Sequence, residues 1–234
     1  MALALCLTLL PAAAFANGES ETSTLHTHYL CGNAEACSHV GGHSEDSKTT
    51  FATAITQDDN GYVWVGDGTQ EQPYQCVLSE GTYYLATDLA LEAPSNTQFG
   101  SIQIMENVTF CLNGHTITVK ANREAFKITK SVDTPSPTLT LSDCQGGGTF
   151  KGATQSVWGG ACIYLYTSTL DMFGGKLTGK GGGGAIALDD QQCIFNMYGG
   201  EISGNNGKNY GGAIFRKFNA NMPNTTGGTF NMYG

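Results

Sequence analysis

The sequence predicts an all-β chain folded as a parallel β-helix, a solenoid of stacked coils preceded by a small irregular segment. Two repeats carry this reading. Phe110–Thr118 (FCLNGHTIT), Leu170–Thr178 (LDMFGGKLT), Phe195–Ser203 (FNMYGGEIS) and Phe230–Gly234 (FNMYG) share apolar residues at the first and third positions and glycine at the fifth; the three full copies add an apolar eighth. Between them, the motifs beginning at Gly159 (GGAC), Gly183 (GGAI) and Gly211 (GGAI) start 24 and then 28 residues apart. Composition agrees: 32 of 234 residues are glycine and only 13% are charged. Glycine costs about 1 kcal/mol per helix position relative to alanine, so helical bundles and coiled coils are disfavoured. The glycines show no three-residue period, which excludes collagen, and 10% aromatics argues against disorder.

Taken from the N-terminus, Met1–Ala16 (MALALCLTLLPAAAFA) is an apolar run closing in Ala14-Phe15-Ala16. Small residues at those two alanine positions suit signal-peptidase cleavage before Asn17. The run is shorter than the roughly 20 residues of a membrane-spanning helix, and no second apolar span follows. No basic residue precedes it, which is consistent with a start upstream of Met1. The chain is therefore expected to be secreted or at the cell surface, with no membrane span in its mature form. Removal of Cys6 with the signal leaves seven cysteines: Cys31, Cys37, Cys76, Cys111, Cys144, Cys162 and Cys193. An exported protein is permitted disulfides, and an odd count leaves at least one thiol without a partner in the same chain.

Residues 17–75 lack the repeat and read as a small Cys/His-containing segment, whereas 76–234 read as the β-helix. Gly81–Leu91 (GTYYLATDLAL) alternates as a strand that opens or caps the stack. Leu139–Phe150 (LTLSDCQGGGTF) is a more distant repeat copy. Units of 20–50 residues indicate a solenoid, propeller or array; these are too short for a propeller blade and lack leucine-rich and calcium-nonapeptide spacing. Stacking places equivalent side chains about 4.8 Å apart. The expected inward ladders are Phe110, Leu170, Phe195 and Phe230; Leu112, Met172, Met197 and Met232; and Ile117, Leu177 and Ile202. The chain stops inside a regular repeat, so further coils after Gly234 are expected, and so is end-to-end association through the open coil end.

Charge is unevenly placed. Residues 1–100 hold 12 acids and one base, whereas residues 101–234 hold eight acids and ten bases. No basic cluster exists to displace counterions from phosphates, which argues against nucleic acid as a partner.

The Gly-Gly-Ala-Ile units, the FNMYGGEISGN stretch (195–205), the CLNGHTI stretch (111–117), and His28-Tyr29-Leu30-Cys31-Gly32 with Val40-Gly41-Gly42-His43 together resemble Gly-rich β-helix surface proteins of anaerobic, gut-type bacteria. These are distantly similar to the pectate-lyase superfamily. The resemblance spans most of 26–234 and implies right-handed, single-stranded coils; it specifies fold well and function poorly.

Candidate sites follow from residue type and spacing. His26, His28, Cys31, Cys37, His39 and His43 lie within 18 residues and offer nitrogen and thiolate ligands suited to zinc. A Cys31–Cys37 disulfide with solvated histidines is the competing reading. Cys111 and Cys144 fall on adjacent coils and would bridge if their Cα atoms come within about 6 Å. Cys162 stands in the place of Ile186 and Ile214 as a buried small hydrophobe, and Cys193 is similar. Asp189 and Asp190 are the weak catalytic candidates, since paired carboxylates can serve glycoside hydrolysis. Neighbours on a strand point to opposite faces, however, and a solvated turn is the simpler reading. The third unit carries about seven extra residues including Arg216, Lys217 and Phe218, and solenoid insertions often form a binding face. The function favoured is a non-catalytic adhesin, stalk or glycan-contacting surface, with host or environmental glycans or surface proteins as partners. A polysaccharide lyase or hydrolase on the same fold, and a spacer without a ligand, are the alternatives.

Overall fold

The computed structural model describes residues 26–31, 48–66, 69–71, 76–92, 102–119, 124–152, 161–179, 184–206, 211–216 and 228–233. The signal segment, Cys37, His39, His43, Lys217 and Phe218 lie outside the described residues. Those described are all β, with no helix among them, hence none long and apolar enough to cross a membrane.

The chain opens with β1 (His26–His28), β2 (Thr49–Phe51), β3 (Thr53–Gln57), β4 (Val63–Val65) and β5 (Thr69–Glu71). Three-strand coils follow. The first is β6 (Cys76–Leu78), β7 (Gly81–Leu85) and β8 (Leu89–Leu91); the second is β9 (Ile102–Ile104), β10 (Val108–Cys111) and β11 (Thr116–Val119). Next come β12 (Phe126–Thr129), β13 (Thr138–Ser142) and β14 (Thr149–Lys151), then β15 (Ile163–Tyr166), β16 (Thr169–Met172) and β17 (Lys176–Thr178). The last are β18 (Ile186–Leu188), β19 (Ile194–Met197) and β20 (Glu201–Ile202), then β21 (Ile214–Arg216) and β22 (Thr229–Met232).

Equivalent strands pair parallel from coil to coil and build three sheets. One runs β6-β9-β12-β15-β18-β21, and a second runs β8-β11-β14-β17-β20. The third runs β7-β10-β13-β16-β19-β22 and is extended at its other edge by β3, parallel to β7, and then by antiparallel β4 and β5. The chain is thus a parallel β-solenoid, and residues 53–57 already belong to its longest sheet.

The core is the set of inward ladders. Val108, Leu139, Leu170, Phe195 and Phe230 stack in register, as do Phe110, Leu141, Met172, Met197 and Met232. Ile117, Phe150, Leu177 and Ile202 form another, with Leu89 beneath Ile117. This corrects the alignment of one repeat copy: Phe110 stacks with the methionines, two positions from its expected place beside Leu170. The cause is a longer corner. Leu112–His115 closes a turn in which His115 N–H donates to Leu112 O at 2.9 Å, with Asn113 and Gly114 both at positive φ (52° and 77°). Asparagine and glycine are the residues that adopt this conformation without large cost. Cys162 is fully buried as expected but one place off: Ile163, not Cys162, stands in register with Ile186 and Ile214. Met172 is fully buried, whereas Met232, on the last described strand, is 69% exposed because no described coil covers it.

Tight stacking makes one corner glycine obligatory. Gly200 has φ +87°, and a Cβ there would stand 2.6 Å from Gly175 O and press on the Met172 methyl. Gly200→Ala is expected to destabilise the fold by about 1–3 kcal/mol or more, from left-handed strain plus that clash. Ile194→Ala, on the outward side of β19, should stay within about 0.5 kcal/mol. Urea midpoints of the two variants against wild type check both.

Candidate functional site

The outer face of the longest sheet divides into two halves. Alternation along β10 sends Val108 and Phe110 inward and Thr109 and Cys111 outward. In register with Cys111 stand Tyr84 on β7 and Ser142 on β13. The column continues one residue past the ends of β16, β19 and β22 as Phe173, Tyr198 and Tyr233, whose N–H groups donate to Leu141 O, Met172 O and Met197 O at 2.8 Å.

Cys111 and Ser142 are fully buried although they point outward. The reason is β1, which pairs antiparallel with β2 and lies across this face. His26 stacks on Tyr84 with ring centroids 4.5 Å apart, and His28 stacks on Phe51 at 4.3 Å. One residue beyond Tyr29, the Leu30 carbonyl accepts a hydrogen bond from Ser142 Oγ. The N-terminal segment therefore touches three successive coils.

Beneath it, two imidazoles and two sulfurs converge. The ligand atoms of His26, His28, Cys111 and Cys144 all lie within 4.8 Å of one another. His26 Nε2 is 3.4 Å from Cys144 Sγ, which is 3.5 Å from Cys111 Sγ. The Asn113 N–H donates to Cys111 Sγ at 3.3 Å, and the Asn113 side-chain oxygen lies 3.3 Å from Cys144 Sγ. His28 Nδ1 meets Tyr29 O at 2.5 Å, while its Nε2 is buried without a hydrogen-bond partner. The Cys111 sulfur lies within 4.8 Å of the His28 ligand nitrogen. The Cys111 thiol donates to Cys144; with burial, this pushes the Cys111 pKa well up, and the same bond draws Cys144 down. Burial, then the neighbouring His28, lowers His26. Burial also lowers His28, but Cys111, the Tyr29 carbonyl and Asp143 outweigh it and leave its pKa raised. Asp143 is itself committed elsewhere, accepting from Gly114 N–H at 2.7 Å and Gly148 N–H at 2.8 Å.

The cluster joins part of one sequence-predicted site to part of another. His26 and His28 come from the first; Cys31 is half-buried nearby in sequence but is not among the four. Cys111 and Cys144 come from the expected bridge, yet 3.5 Å is the length of a thiol hydrogen bond, far beyond the 2.05 Å of a disulfide. Among the described residues no two sulfurs stand at disulfide distance. The signal that links the two halves is that Cys111 occupies an outward position which something else must cover.

Beyond β13 the same outer face continues along β16, β19 and β22. Two outward columns run side by side there. Asp171, Asn196 and Asn231 form a hydrogen-bonded ladder, Asn196 Nδ2 donating to Asp171 Oδ1 at 2.7 Å and Asn231 Nδ2 to Asn196 Oδ1 at 2.8 Å. Next to it Phe173, Tyr198 and Tyr233 stack nearly parallel at 4.6 and 4.7 Å. These ladders were missed as a surface, although the FNMYG copies spell both.

Asp189 and Asp190 go to separate partners. Asp189 accepts from the Tyr164 hydroxyl. Asp190 accepts from Thr167 Oγ1, from Gln192 N–H at 3.0 Å and from Cys193 Sγ at 3.0 Å, closing the turn into β19. Arg216 ends β21 on the exposed surface. Comparison with protein-family models, with curated proteins and with solved structures returns no match.

Burial raises the Asp190 pKa, but the hydrogen bonds from Thr167, Cys193 and Gln192 outweigh it, leaving the carboxyl below its ordinary value. A depressed folded pKa contributes stability above the unfolded pKa of about 4, and that contribution is lost as pH falls through the folded value. Asp190→Asn should therefore be less stable than wild type at neutral pH, with the gap closing in acid. Urea midpoints of both proteins at pH 7 and near pH 3 measure it, and a gap independent of pH would contradict the assignment.

Proposed function

We propose that this chain is a non-catalytic, secreted or surface-attached β-solenoid whose outer sheet face beyond β13 contacts glycans. The observation that carries the reading is the pair of outward ladders, Asp171–Asn196–Asn231 beside Phe173–Tyr198–Tyr233. Coils repeat about every 4.8 Å, close to the length of a sugar ring, so an extended polysaccharide along the stack would meet the same groups at each coil. The rings cover one another's faces, so they offer edges and, at Tyr198 and Tyr233, hydroxyls. Amide and carboxylate oxygens supply acceptors and amide N–H groups supply donors for sugar hydroxyls. Such a surface binds by repetition, each contact weak and the sum set by how many engage at once.

The apolar, signal-like start of the sequence supports export, and the rod form of a solenoid suits display away from a surface. Asn196→Ala/Tyr198→Ala is expected to lower binding on a polysaccharide array at least fivefold while leaving the urea midpoint near wild type. Binding unchanged by this variant, or no glycan bound at all, would overturn the reading. Release of new reducing ends or unsaturated products from any polysaccharide would replace it with a lyase or hydrolase.

A further inference from the structure

We propose that His26, His28, Cys111 and Cys144 bind a single Zn2+ ion that fastens the N-terminal segment to the solenoid, independently of any glycan contact. The donor set is two thiols and two imidazoles, the combination zinc takes in closed tetrahedral structural sites. With Zn–S near 2.3 Å and Zn–N near 2.0–2.1 Å, a tetrahedron puts its ligand atoms roughly 3.3–3.8 Å apart. Two of the edges already have that length, His26 Nε2 to Cys144 Sγ at 3.4 Å and Cys111 Sγ to Cys144 Sγ at 3.5 Å. All remaining pairs lie within 4.8 Å, so closure on an ion needs a contraction of about an ångström.

The outer contacts point the same way. The Tyr29 carbonyl, 2.5 Å from His28 Nδ1, holds the proton on that nitrogen and leaves the Nε2 lone pair for a ligand. Metal-bound histidines characteristically direct their other nitrogen to a carbonyl or carboxylate in this manner. Nε2 itself is buried and has no hydrogen-bond partner, a costly arrangement unless a ligand completes it. The Asn113 N–H donates to Cys111 Sγ at 3.3 Å and would stabilise the bound thiolate. Stacking on Tyr84 and Phe51 fixes the two imidazole planes before any ion arrives. Asp143 is turned onto the Gly114 and Gly148 amides and adds no fifth ligand. Binding at neutral pH would release protons from the thiols as the ion takes their place.

The test uses the full chain, reduced and loaded with Co2+ as a spectroscopic stand-in and separately with Zn2+. The expected result is a single Co2+ per chain with thiolate-to-cobalt charge-transfer absorption and the intense visible bands of a tetrahedral site. Cys111→Ser/Cys144→Ser should abolish the charge-transfer band, and His28→Gln, which removes a direct ligand, should weaken binding by at least the roughly tenfold to hundredfold that loss of an outer-shell partner costs. Cys31→Ser/Cys37→Ser should change neither. X-ray absorption of the zinc-loaded wild type, which does not depend on how any variant folds, should show two sulfurs and two nitrogens. A shell without sulfur, failure to bind stoichiometrically, or retention of the band in the Cys111/Cys144 variant would overturn the proposal. So would its loss in a folded Cys31/Cys37 variant.

Discussion

Parallel in-register stacking governs everything else in this molecule. Once backbone hydrogen bonds set the coil spacing at about 4.8 Å, every inward side chain must rest on its counterpart above and below. Each ladder is then nearly uniform: Leu139, Leu170, Phe195 and Phe230 in one, Phe150, Leu177 and Ile202 in another. The same spacing brings corner backbones so close that Gly200 has no room for a Cβ against the Gly175 carbonyl. Abundant glycine and sparse charge are thus two results of one geometric condition.

Outside the coils the condition is looser, because an outward column need only tolerate its neighbours. The column from Tyr84 to Tyr233 shows both uses. Its upstream members are small or aromatic and take the N-terminal segment on top of them, His26 on Tyr84 and Leu30 on Ser142. Its downstream members stack among themselves and line the surface. One sheet therefore supplies both an attachment for the start of the chain and a repetitive outer face.

The parts legible in the sequence were those written by repetition. The parallel stack, the Ile117–Leu177–Ile202 ladder and the alignment of Leu139 with Leu170 all follow from counting residues between apolar positions. Phe110 was misplaced by two because the count ran through Leu112–His115, a corner whose extra length leaves no trace in the apolar pattern. The histidine and cysteine cluster was half legible. His26 and His28 were grouped with the thiols next to them in sequence, whereas the sulfurs they meet belong to Cys111 and Cys144. Contacts made by folding a non-repetitive segment onto a repetitive one have no period, so spacing cannot announce them.

A solenoid pulled from one end would ordinarily unravel coil by coil, since each coil is held only by its neighbour. The segment containing β1 alters that at this end of the rod. It touches the first coil through Tyr84, the second through Cys111 and the third through Ser142 and Cys144. Tension applied ahead of His26 would therefore load three coils at once and shear them together rather than peel one from the next. Tied across several coils in this way, this end of the rod resists a pull as a whipped rope end resists fraying.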